Sequence, residues 1–199
     1  CALQHRVPIW VGGRTRRSLR RAVELGDGWM PFGLSVAEIS TMLAAVELPE
    51  FFDIVLTTNS GYPLDMNLYQ GVKGMSAGAR VVKPGGTLIL AAECREGVPA
   101  GSPMDQLLRS ASSPEEILAR LATPGFVRPE QWQAQIQALI QRKARVLVHS
   151  SLPDEIIRAA HLAPCHDLAA TVQNLMRQNP AARLAVLPQG PLTIPYLAE

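Results

Sequence analysis

The sequence predicts an α/β fold, a mainly parallel sheet with helices on both faces, preceded by a short βαβα segment. Three observations predict it. From Phe51 onward, short apolar runs alternate with stretches of helical periodicity. The runs are continuously apolar rather than alternating, as in Ile54-Val55-Leu56, which suits strands covered on both faces. Polar loops bearing Gly, Pro or Asn separate the two kinds of segment. Such alternation builds parallel βαβ units.

In the first 48 residues, Val7–Val11 reads as a short strand, and Gly12-Gly13-Arg14-Thr15 as a tight turn into a helix with Leu19, Ala22 and Val23 on its apolar side. Gly26–Pro31 reads as a turn and second strand, and a further helix is expected from Ser35 or Ala37 to about Glu47. This stretch holds six Arg against four acids, whereas the remainder balances at thirteen against thirteen. Pro49-Glu50 is the expected junction between a segment 1–48 and a main domain 49–199.

The main domain opens with a strand at Asp53–Thr58, a polar loop at Asn59–Asp65 and a helix from about Met66, with Asp65 as its cap. At about 100° per residue, Leu68, Val72, Met75 and Ala79 form one stripe, and Tyr69, Gln70 and Lys73 the opposite face. Lys83–Gly86 is a turn into a strand at Thr87–Ala92, followed by a polar loop, Glu93–Pro103. Short helices are expected at Met104–Arg109 and Pro114–Ala122. Gln131–Lys143 is a longer one, with Pro129 at its first position and Trp132, Ile136, Leu139 and Ile140 facing the core. Arg145–His149 is a strand and Pro153–Ala160 a helix. Asp167 caps a helix to Gln178 with Leu168, Val172, Leu175 and Met176 inward, and Arg183–Leu187 is the last strand.

The 199 residues fit one ordinary domain, or one domain plus a fragment. No apolar run reaches the ~18 residues of a membrane span, and a net charge of +2 does not call for nucleic acid. Three scattered cysteines do not make a disulfide framework, and a cytoplasmic setting is the expectation. The chain opens on Cys1 rather than Met, as a piece of a longer protein would.

In open α/β sheets, ligands sit beyond the carboxyl ends of the strands. Asn59–Asp65, Glu93–Pro103, His149–Ser151 and Pro188–Pro191 leave such ends. Tyr69, Gln70 and Lys73 set a phenol, an amide and an ammonium beside that edge, a combination able to hold a small oxygen-rich anion. Exposed Lys and Gln on a helix are otherwise ordinary. Glu93, Cys94, Arg95 and Glu96 read as a self-satisfied loop network before they read as acid–base machinery. His161, Cys165 and His166 lack the remaining ligands of a structural zinc, and Pro164 breaks their spacing, so no metal site is expected there.

The motifs Gly61-Tyr62-Pro63-Leu64-Asp65, Asn67-Leu68-Tyr69-Gln70, Val72-Lys73-Gly74, Ala92–Gly97 and Pro188–Pro195 resemble the carboxy-terminal domain of the nickel-dependent lactate racemase family. The resemblance runs from about Phe51 to the end. It implies a small 2-hydroxy-acid substrate, with Tyr69, Gln70, Lys73 and, beside the cofactor, Trp132 lining the site. It also implies a nickel-pincer nucleotide that takes a hydride from the substrate and returns it to either face. The catalytic histidines and the cofactor-bearing lysine belong to the family's amino-terminal domain, so the implied function is a substrate-binding half, inactive alone.

Residues 1–48 resemble the end of luciferase-like flavin or deazaflavin monooxygenases. There, Gly12, Gly13, Arg14 and Thr15 imply a phosphate site for FMN or a deazaflavin, although 48 residues cannot close a barrel that needs about 200. A flavin-dependent oxidoreductase and a non-catalytic α/β module are the alternatives. The oligomeric state is not legible.

Overall fold

The computed structural model describes residues 10–12, 28–30, 44–48 and 50–197. The chain divides into two compact units, Cys1–Ala45 and Val46–Glu199. In the first, strands β1 (Trp10–Gly12) and β2 (Gly28–Met30) pair in parallel. The two short strands expected there are present. The helices expected between and after them lie largely outside the described residues, as do Gly13, Arg14 and Thr15 of the proposed phosphate turn; Gly12 ends β1. One expectation fails: the chain is extended over Ala44–Leu48 (β3), where the helix was to run on to Glu47. Val46 is β-branched, and pairing with a later strand overrides the intrinsic helix preference of Ala44-Ala45.

The second unit is built on a five-stranded sheet. Its strands are β4 (Phe52–Thr58), β5 (Val82–Ala91), β6 (Arg145–His149), β7 (Ala163–Pro164) and β8 (Leu184–Leu187), in the order β7-β6-β5-β4-β8. All four pairings are parallel. The helices are α1 (Leu68–Ala79), α2 (Pro103–Ser110), α3 (Pro114–Leu121), α4 (Gln131–Lys143), α5 (Asp154–Ala159) and α6 (Leu168–Gln178). A short 3₁₀ turn, Gly190–Leu192, leads to β9 (Thr193–Leu197), which joins β3 in a separate two-stranded sheet.

Alternation along the strands sorts the core into two layers. Val55, Leu88, Leu90, Val146 and Val148 enter the larger one, with residues from α1 to α5. Ile54, Ile89 and Leu147 face the other way, under Leu168, Val172, Leu175 and Met176 of α6. The sheet is therefore covered on both faces, which explains its unbroken apolar strands.

Three local expectations need correction. Asn67, not Asp65, caps α1: its side-chain oxygen accepts the Gln70 N–H at 3.1 Å. Glu130, with φ +60°, precedes α4, so Pro129 lies outside the helix. The third concerns the inner face of α4. Gln133, Ala134, Gln137, Ala138 and Ile140 are buried, whereas Trp132, Ile136 and Leu139 are 53%, 37% and 46% exposed. Core packing of Trp132 is thus overturned. The cause is hydrogen bonding that a hydrophobic pattern cannot register: Gln133 Nε2 donates to the Tyr69 carbonyl at 2.6 Å, and Gln137 Nε2 to that of Ala160 at 2.8 Å.

Candidate functional site at the carboxyl edge of the sheet

Because every strand of the sheet is parallel, the loops after β4, β5, β6 and β8 open on one edge. Hydrogen bonds stitch them together. The Cys94 N–H donates to Asp65 O at 2.7 Å, Glu96 N–H to Met66 O at 2.8 Å, and Leu68 N–H to Gly97 O at 2.9 Å. The Asp65 carboxylate accepts the Glu93 N–H at 3.2 Å. Ser151 donates to Glu93 O through its N–H at 2.9 Å and its hydroxyl at 2.7 Å. The Thr58 hydroxyl donates to Pro188 O at 2.8 Å.

Asn59 locks this edge onto α1. It is fully buried, its Oδ1 accepts the Gly74 N–H at 3.0 Å, and its amide donates to Leu64 O. Thr57 adds a bond to Gly74 O at 3.2 Å. The approach needs Gly74, because a Cβ there would stand 2.7 Å from Thr58 O. Ser60 and Gly61 carry φ of +66° and +73°, so the loop turns sharply before α1. Sequence reading missed Asn59 as the hub. The one signal was a buried strand ending directly in Thr-Thr-Asn, and its bond to Gly74 spans fifteen positions.

The side chains proposed for the site divide as follows. Leu68, Val72 and Met75 of α1 are completely buried, which leaves Tyr69, Gln70 and Lys73 half-buried on the other side. The Tyr69 ring packs against the larger core. Gln70 Oε1 is buried without a hydrogen-bond partner among the described residues. A buried, unpaired amide oxygen costs about 1–3 kcal/mol, which a ligand donor would relieve. Ser60 Oγ and Asp65 Oδ1 are in the same condition. Three of the four such atoms among the described residues thus fall between positions 60 and 70.

Trp132 comes to the same end of the domain. Gln133 bonds to Tyr69 at one end of the α1–α4 pair, and Lys143 Nζ to Ala79 O at 2.6 Å at the other. The two helices therefore run parallel, with the first turn of α4 level with the first turn of α1.

Glu93–Glu96 form the self-satisfied network. Arg95 lies 4.9 Å over the Tyr62 ring and 4.0 Å from Glu93, and Glu96 accepts from the Asn67 amide at 3.2 Å. Burial, with the charges of Asp65 and Glu93 adding, pushes the Cys94 thiol up to about 12, so it stays protonated and unreactive. His161 and His166 are separately engaged, with Leu108 O at 2.9 Å and Asp154 at 3.4 Å. Among the described residues no group of three His, Cys, Asp or Glu is placed to hold a metal. No helix among them is long and apolar enough to cross a membrane.

A family model described as the lactate racemase C-terminal domain matches residues 49–194. The lactate racemase of Thermoanaerobacterium thermosaccharolyticum is 35% identical over 160 residues, covering 78% of this chain and 36% of that protein. The lactate racemase of Lactiplantibacillus plantarum is 38% identical over 146 residues, covering 69% and 33%. The solved lactate racemase apoprotein from T. thermosaccharolyticum superposes with a TM-score of 0.70 at 31% identity, covering 81% of this chain and 38% of that one. A Thermotoga maritima protein at 14% identity and a TM-score of 0.53, covering 92% of this chain and 52% of that one, shares the fold alone. The chain thus spans about a third of the length of the lactate racemases it matches. It belongs to the lactate racemase family, of which residues 49–194 are the C-terminal domain.

Proposed function

We propose that this domain is the substrate-holding half of a racemase or epimerase of small 2-hydroxy acids, and that the chain alone binds such an acid without turning it over. The observation that carries the reading is the Gln70 amide, whose buried oxygen is left unpaired on the helix face beside the loops. A 2-hydroxy acid offers a hydroxyl donor for that oxygen and a carboxylate for the Lys73 ammonium. Tyr69 and Trp132 supply the walls, and their place in the first turns of parallel helices puts both at the carboxyl edge.

The family resemblance implies a nickel-pincer nucleotide, whose chemistry is to accept a hydride from the carbinol carbon and return it. The described residues do not fit a nickel site, since no three of their acids, cysteines and histidines come together to hold an ion. We assign the cofactor to the part of a full-length racemase outside the match. The contribution of this domain is to bind the carboxylate, orient the hydroxyl and exclude water. Residues 1–48, with Gly12, Gly13, Arg14 and Thr15, remain a candidate phosphate turn for FMN or a deazaflavin, to be tested by flavin titration.

Titration of the chain with D- and L-lactate, followed by ligand-observed NMR, tests the reading. Gln70→Ala and Lys73→Ala are each expected to weaken binding roughly tenfold or more, as loss of a bond to a charged or buried partner does. Unchanged binding in both variants would leave a non-catalytic α/β module as the better description.

A further inference from the structure

The opposite edge of the sheet holds a cavity that the candidate site does not use. It measures about 240 Å³ and opens between residues 83–87 and the end of α6. The strands begin at this edge and α6 ends there, so the cavity lies a strand's length from the loops after β4 and β5. Ile54, Leu175 and Ala182 give it an apolar floor. Asp53, Lys83, Gln178 and Asn179 give it a polar rim. An apolar floor under a few convergent polar groups is the make-up of a small-molecule site.

The hydrogen bonds already made decide what the rim still offers. Both Asp53 oxygens are engaged: Oδ1 accepts from Lys83 Nζ at 2.8 Å, and Oδ2 from the Arg183 N–H at 2.9 Å. The Lys83 ammonium has further N–H groups beyond the one it gives to Asp53. Asn179 Oδ1 accepts the Ala181 N–H at 3.2 Å, which leaves the NH₂ end of that amide to the cavity. The Gln178 amide can turn either end inward. What remains is a set of donors. Charge points the same way. Asp53 and Lys83 cancel, as do Glu50 and Arg183, which form an ion pair. Arg177, in the last turn of α6, is the surplus cation, and it offsets the partial negative charge of that helix end.

We propose that this cavity is a second binding site, for a small carboxylate with a short apolar tail. The carboxylate oxygens accept from Lys83 Nζ and the Asn179 amide, and the tail lies on Ile54, Leu175 and Ala182. A water takes up ~30 Å³ of liquid, so the cavity admits a ligand of about eight non-hydrogen atoms. An amine fits less well, because it would first have to displace Lys83 from Asp53. The proposal does not depend on the substrate reading, since no residue of this cavity enters that site.

Sodium butyrate is the probe, because it has the carboxylate and the tail but no 2-hydroxyl. Titration of the full chain, followed by saturation-transfer NMR on the butyrate signals, is expected to saturate. Asn179→Asp keeps the oxygen that accepts from Ala181 but replaces the donor end with a repelling charge. Lys83→Met keeps the apolar stem and removes the ammonium. Each should raise the Kd for butyrate roughly tenfold or more, the scale of a bond to a charged group. Lys73→Ala, at the other edge, should change it by less than about twofold, as distant sites do. Butylammonium chloride should not saturate. A cooperative urea transition shows that a variant is folded, and either variant that keeps it decides the matter. Butyrate binding that survives in a folded Asn179→Asp or Lys83→Met chain would overturn the proposal. So would a response to butyrate that never saturates, or saturation by butylammonium instead. Butyrate binding that is lost in Lys73→Ala would move the carboxylate to the carboxyl edge, overturning the second site while leaving the substrate reading in place.

Discussion

Helices α1 and α4 lie side by side, run in the same direction and belong to the same layer, yet α4 buries two amides where α1 buries only apolar groups and glycine. α1 turns Leu68, Val72 and Met75 inward and lies close on the strands, where Gly74 and Gly78 leave no room for a Cβ. α4 turns two glutamines, two alanines and Ile140 inward and leaves Trp132, Ile136 and Leu139 half-exposed. The difference follows from what each helix meets. α1 meets Val55, Leu88 and Leu90, an apolar floor that rewards apolar contact. α4 meets, besides apolar groups, two main-chain carbonyls, those of Tyr69 and Ala160. The Ala160 carbonyl, at the end of α5, has no partner within its helix, and the Gln137 amide supplies one. Polarity of a buried face is set by its neighbour, and an amide wins where the neighbour is a carbonyl.

The largest effects should therefore come from the floor of α1. Met75→Ala and Leu68→Ala each remove a completely buried side chain, and each should lower the free energy of urea unfolding by about 3 kcal/mol. A loss under ~1 kcal/mol in both would mean that α1 does not rest on the sheet as described. The intermediate case lies on the inner face of α4. Gln137→Leu keeps the volume but withdraws the 2.8 Å bond to Ala160 O, leaving that carbonyl to Gln141 at 3.5 Å. About 1 kcal/mol should be lost in the same urea titration. A gain in stability would show that the amide is not what the carbonyl selects.

The same contrast separates what was legible in the residues from what was not. Ile54-Val55-Leu56 and Arg145–His149 announced buried parallel strands because hydrophobicity and strand length are local properties. The Leu68, Val72, Met75 stripe was legible because an apolar neighbour obeys the pattern. Parallel order then placed four loops and the Tyr69–Lys73 face on one edge. The inner face of α4 was not legible, because Gln137 is buried by a partner twenty-three positions away. Nor was the two-residue strand at Ala163–Pro164, which is too short for any period to show. Asn59 escaped for the same reason as Gln137: its role is a bond to Gly74, not a local preference.

The smallest expected effect is the sharpest check on the comparison. Ile136→Gln and Leu139→Gln replace aliphatic residues on the outward face of α4 with a good helix former, so intrinsic helix preference changes little. Both positions are already more than a third exposed, and neither enters the two core layers. Surface substitutions of this kind cost about 0.5 kcal/mol or less. The unfolding midpoint of the chain in urea should therefore hardly move, although both positions read as core by sequence periodicity. A loss beyond ~1.5 kcal/mol in either variant would restore the stripe to the interior of this chain. A small loss, set against the ~3 kcal/mol expected at Met75, places the outward apolar residues of α4 outside the packing that holds this fold.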